Sequence, residues 1–150
     1  MRLAPLSCLL MLSLIYSLPA IATSREVHCP DIPFVKSVVE KLDTVQYVKD
    51  YQLYHVFTLF DSIYFAEERR NWYMVTTIYT QNYNDAYNVA VGTVATLTQQ
   101  VDVTPRADDL GYYICEYRNE QRSVYLLSDI YKSVGTRYER FTKKLESLHA

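Results

Sequence analysis

Apolar and polar positions alternate by twos through most of this chain, then change to a longer period near its end. In the block 46–59, Tyr51, Leu53, His55 and Phe57 fall on one face of an extended strand. In the block 72–80, Tyr73, Val75, Thr77 and Tyr79 do the same. Tyr87, Val89, Val91, Thr93 and Leu97 keep this parity across 87–97, which predicts a further strand. Two aromatic-rich strands follow at 111–118 and 122–128, with shorter candidates at 62–66 and 99–103. Turn-forming residues separate the blocks at 82–85, 104–109 and 118–121. Tyr131, Val134, Tyr138, Phe141, Leu145 and Leu148 are instead spaced as one helical stripe, with Lys143 and Lys144 near the end, where cations suit the helix dipole. A lone amphipathic helix must lie on the sheet. The pattern predicts a mostly β fold, an antiparallel meander or up-and-down barrel of six to eight strands, complete or trimmed, with one C-terminal α-helix packed outside.

The first residues have a different character. Arg2 precedes an apolar run from Leu6 to Leu18, and Ala20-Ile21-Ala22 offers a small-x-small cleavage site. This predicts a signal peptide over 1–22 and a secreted domain over 23–150, because the run is too short for a membrane span. No later stretch is apolar enough to anchor the chain. Without Arg2, 14 basic side chains face 17 acidic ones, a net charge of about −3. No basic stripe marks a nucleic-acid or anionic-lipid surface.

Cys8 leaves with the leader, so Cys29 and Cys115 remain. In an oxidising compartment they read most simply as one disulfide closing a loop of nearly ninety residues; two buried thiols are the alternative. Evidence for catalysis is thin. His28, His55 and His149 lie far apart, in no metal-ligand spacing, and no Gly-x-Ser-x-Gly elbow occurs. Asp108-Asp109 and Glu67-Glu68-Arg69-Arg70 read as solvated turns, and Trp72 as a core or rim residue ahead of a ligand-stacking one. The reading is of a non-enzyme with neither cofactor nor metal.

Several segments resemble a known family. His28-Cys29-Pro30-Asp31-Ile32-Pro33-Phe34-Val35-Lys36 resembles the Cys-Pro-Asp/Glu opening of the bilin-binding and apolipoprotein D-like lipocalins of insects. Leu42-Asp43-Thr44-Val45-Gln46-Tyr47-Val48 is similar to their lead into the first strand. Gly111 to Tyr117 resembles their seventh strand and Val124 to Ser128 their eighth, with the helix after it. The Gly-x-Trp signature falls on Lys49-Asp50-Tyr51, and the arginine that covers that tryptophan falls on Asp129, so both partners are replaced. The middle is also short, which implies either a trimmed strand pair or an incompletely closed barrel; the latter would expose a strand edge to a protein partner or to self-association, or leave it capped by a loop.

The resemblance implies carriage of a small hydrophobic molecule of pigment, lipid or odorant type. Tyr51, Leu53, His55, Phe57, Tyr73, Val75, Thr77 and Tyr79 would line the interior. Two further readings stay open. The same faces can form a solid core, and the chain can be a secreted effector that binds a macromolecule through its loops.

Overall fold

A computed structural model describes residues 26–58, 62–66, 70–130 and 137–148. The leader, part of the Glu67–Arg70 turn, the first residues of the apolar stripe at 131–136, and His149 lie outside them. The chain opens with α1 (Ile32–Ser37), whose first turn is capped by Asp31 accepting from the Phe34 amide at 2.9 Å. Strands β1 (Thr44–Val48) and β2 (Leu53–Phe57) follow. The expected strand over 46–59 is therefore a hairpin. A 3-10 turn at Lys49–Tyr51 breaks it, and Gln52 reverses the chain in the left-handed region at φ 52°. Next come β3 (Ile63–Phe65) and β4 (Arg70–Ile78).

The block expected as a strand over 87–97 is a helix, α2 (Tyr83–Ala95). Asn82, read as a turn residue, is its N-cap: its side-chain oxygen accepts from the Asp85 amide at 2.8 Å, and its side-chain amide donates back to the Asp85 carboxylate. The buried residues Ala86, Ala90, Thr93 and Val94 recur at helical spacing, and the two alanines let the helix sit close on the sheet. Thr93 returns its hydroxyl to the Val89 carbonyl at 2.7 Å, so a β-branched residue is accommodated inside the helix.

The remaining elements are β5 (Gln99–Gln100), β6 (Arg106–Ala107), β7 (Tyr112–Arg118), β8 (Ser123–Asp129) and α3 (Arg137–Ser147). Every strand pairing is antiparallel, in the order β1-β2-β4-β8-β7-β5, with β3 also on β4 and β6 also on β7. The sheet is open, ending at β1 and β5. Because residues 83–95 form a helix, the chain leaves β4, crosses the sheet, and returns so that β8 lies beside β4. Phe57 pairs with Val75 but Ile63 with Trp72, so β3 continues β2 along β4 after a register shift of three residues.

Helices cover both faces. Val56, Trp72, Met74, Ile78, Cys115, Tyr117, Val124 and Leu126 pack with Val35 of α1 and with Ala86, Ala90 and Val94 of α2. On the other face Phe57, Tyr73, Val75, Tyr112, Ile114 and Leu127 pack against Phe141 and Leu145 of α3. The central strand β4 is buried on both sides from Trp72 to Thr76, which explains its nearly unbroken apolar run. Each large apolar side chain so buried stabilises the fold by about 1.5–3 kcal/mol.

The N-terminal arm and α3 are each pinned to the sheet. Cys29 is disulfide-bonded to Cys115 with Cα atoms 5.6 Å apart, and its amide donates to the Val103 carbonyl at 2.7 Å. One residue on, the Pro30 carbonyl accepts from the Tyr117 hydroxyl. Burial first, and the Asp31 carboxylate second, push that hydroxyl far above the ordinary tyrosine value. On α3, Lys144 does not project to solvent as a helix-end cation. It is buried, with Nζ 2.9 Å from Asp108 Oδ2, a charge contact without hydrogen-bond alignment. The other Asp108 oxygen accepts from the Leu110 and Tyr112 amides, so this half-buried aspartate organises its turn, while Asp109 beside it is exposed as expected of a solvated turn.

Candidate functional site

Six of the eight side chains expected to line a ligand wall lie on the α3 face. Across β2 and β4, His55 is opposite Thr77 and Phe57 opposite Val75; Leu53 and Tyr73 continue the same parity. The His55 Nδ1 and Thr77 Oγ1 atoms are 3.5 Å apart. This wall is filled by the chain itself. The Phe141 ring lies 5.4 Å from that of Phe57 and 5.9 Å from that of Tyr73, with Leu145 packed beside them. Tyr51 and Tyr79 are placed elsewhere. Tyr51 sits in the 3-10 turn and is 51% exposed, and Tyr79 lies past the end of β4 and is 70% exposed. Trp72 is on the opposite face, wholly buried.

Strand pairing brings three turns to one end of the sheet. Tyr54 at the start of β2 faces Ile78 at the end of β4; Thr76 of β4 faces Val124 at the start of β8; Arg118 at the end of β7 faces Ser123. The turns at 49–52, 79–82 and 119–122 are therefore neighbours. They carry Tyr51, Tyr79, Gln121 and Arg122, and Tyr83 stands at the first position of α2, 55% exposed. An open cleft of about 330 Å³ runs from this end along the α3 face, lined by Thr77, Tyr79, Arg122, Ser123, Tyr125 and Leu148 among others.

Local hydrogen bonds hold these turns. The Asn119 side chain accepts from the Gln121 and Arg122 amides and donates to Thr96 Oγ1, which ties the 119–122 turn to the end of α2. Asn82 caps α2, and the Gln52 amide closes its turn on the Lys49 carbonyl. Such an end can present tyrosine rings and a guanidinium with little ordering cost on contact. Its charged member, Arg122, hydrogen-bonds the neutral Gln121 side chain at 3.2 Å.

The sequence singled out Tyr51, Thr77 and Tyr79 but not Tyr83, Gln121 or Arg122, whose surroundings read only as turn composition. Their meeting is set by register between strands distant in sequence. Among the described residues, no group of three or more His, Cys, Asp or Glu side chains is placed to hold a metal ion. Nor is any helix there long and apolar enough to cross a membrane. No family model matches the chain, and no curated protein or solved structure matches it.

Proposed function

We propose that this chain is a secreted interaction protein that recognises a macromolecular partner with the tyrosine-bearing end of its sheet. The observation that carries this reading is the grouping of Tyr51 and Tyr79 with Arg122 on neighbouring hydrogen-bonded turns, with Tyr83 exposed at the head of α2. Tyrosine and arginine dominate binding hot spots, because each supplies large contact area with polar atoms at its tip. The occupied wall supports the same view, since Phe141 and Leu145 take the space that a carried hydrophobe would need. In this reading the lipocalin resemblance reflects a frame that keeps its tied N-terminal arm, last strand pair and C-terminal helix around an opened sheet. The predicted leader and the disulfide support a location outside the cell.

The cleft between Tyr79, Arg122 and Leu148 favours a second reading, carriage of a small amphipathic molecule with its anionic group on Arg122. Native mass spectrometry of the protein from its secreting source separates the two. The first reading expects the mass of the disulfide-bonded chain with no small molecule. It also expects a partner, identified by crosslinking, whose affinity drops at least tenfold in Tyr79→Ala/Arg122→Ala. A co-purifying small molecule, together with a rise in melting temperature in a panel of lipids, tetrapyrroles and amines, overturns it in favour of the second.

A further inference from the structure

We infer that β1 is the pairing edge of a two-fold homodimer, in which two copies join antiparallel about Gln46. This surface abuts the turns proposed above to meet a partner, sharing Lys49 and Tyr83 with them but not Tyr79 or Arg122.

The two ends of the sheet are treated differently. The far end is blunted in the ways that discourage strand addition. Its strands β5 and β6 are two residues long, Pro105 directly precedes β6, and the Cys29 arm is bonded to Val103 between them. The near end has none of these devices. β1 runs for five residues with neither proline nor charge, and among the described residues only β2 pairs with it. Alternate residues of such a strand turn their N–H and C=O groups away from β2, a template for another strand.

The sequence around that edge is self-complementary. Antiparallel pairing centred on Gln46 sets Val45 against Tyr47 of the second copy, Thr44 against Val48, and Asp43 against Lys49, each occurring twice by symmetry. Asp43 and Lys49 flank β1 and are both exposed, so opposite charges approach each other at both ends of the junction, Asp43 also accepting from the Thr44 hydroxyl at 2.7 Å. An open groove of about 580 Å³ separates β1 from α2, lined by Leu42, Asp43, Val45, Tyr83, Tyr87 and Asn88 among others. Tyr47 is 51% exposed and its ring packs on Tyr54 at 5.0 Å. Opposite Val45, the second copy's Tyr47 ring arrives at this groove. One strand thus supplies both the projection and the recess, as an isologous interface requires.

The test is sedimentation velocity of the disulfide-bonded secreted chain across a wide concentration range, with folding of each variant checked by circular dichroism. The expected result is a concentration-dependent dimer. Gln46→Lys, which places two ammonium groups across the axis, returns it to monomer. Lys49→Asp weakens it about tenfold through two like-charge pairs, and Asp43→Lys/Lys49→Asp restores it. Zero-length crosslinking of the wild type joins Asp43 to Lys49 between chains. Within one chain the five residues of β1, roughly 16 Å of strand, lie between them, beyond that reagent's reach. A chain that stays monomeric, a dimer indifferent to both Gln46→Lys and Lys49→Asp, or pairing of β1 only with a different protein overturns the proposal. Gln46 lies in β1, outside the partner turns, and Tyr79 and Arg122 lie outside this groove, so variants at those residues test the two readings separately.

Discussion

Tyr117 concentrates the chemistry of this fold in one side chain. Its ring lies in the core, its hydroxyl binds the Pro30 carbonyl, and burial holds its proton far above the usual tyrosine range. In the unfolded chain the same phenol ionises near 10.0. Above that pH the unfolded state binds fewer protons than the folded one, so stability present below pH 10 falls as pH rises. The slope from this residue is about 1.4 kcal/mol per pH unit. Tyr117→Phe gives up a hydrogen bond and is expected to cost about 1 kcal/mol at neutral pH. It also removes that alkaline slope, so the two stability curves should meet about one unit above pH 10. Urea unfolding at a series of pH values checks this, and parallel curves would refute it. The residue was legible as part of a strand, but its partner stands 87 positions earlier, a distance no local pattern encodes.

Among the elements, α2 marks where pattern reading gave way to packing. Val89, Val91 and Thr93 carry strand propensity and period-two spacing, yet the Asn82 cap and the Ala86–Ala90–Val94 stripe decide for helix. Both signals were in the sequence, and tertiary burial of the small residues selected between them. Gly92 lies on the exposed side of α2, and a methyl group there would meet nothing within 4 Å. Gly92→Ala should therefore stabilise the protein by about 0.5–1 kcal/mol, read by thermal unfolding; a loss of stability would contradict the helix. The C-terminal stripe was read correctly in its described part, where Phe141, Leu145 and Leu148 meet the sheet. The same helix uses Lys144 in a way that composition did not suggest. Lys144→Met leaves the Asp108 carboxylate without its cation and should cost about 2 kcal/mol in denaturant unfolding, with Lys144→Arg recovering part. Equal stability of Lys144→Met and wild type would mean that the pair is ornamental.

At the scale of the whole molecule, most strands and the C-terminal helix were readable and the order in which the strands pair was not. The arm, the last strand pair and the helix after it are each specified by short-range signals, together with a cysteine pair that has no other mate outside the leader. The order of strands, and with it the meeting of Tyr79 and Arg122, depends on one helix replacing a strand, which sets β8 instead of a strand over 87–97 beside β4. What holds such a reordered chain is the bond from its N-terminal arm to β7. Cys29–Cys115 spans 86 positions, and the chain-entropy estimate for a loop of that length is about 4–5 kcal/mol. Reduction, or Cys29→Ser with Cys115→Ser, should lower stability by an amount approaching this, measured by denaturant unfolding. The disulfide and the Tyr117–Pro30 bond secure the same arm, so their contributions cannot be independent. With the disulfide closed, Tyr117→Phe breaks a bond that the fold keeps in register. With it open, the arm is already loosened, and the same substitution should cost at least 0.5 kcal/mol less, roughly the lower end of coupling between contacting residues. A double-mutant cycle with the two cysteine substitutions and Tyr117→Phe measures that difference. Strict additivity would show that the arm stays docked without its covalent tie, and that the bond acts only on the unfolded chain.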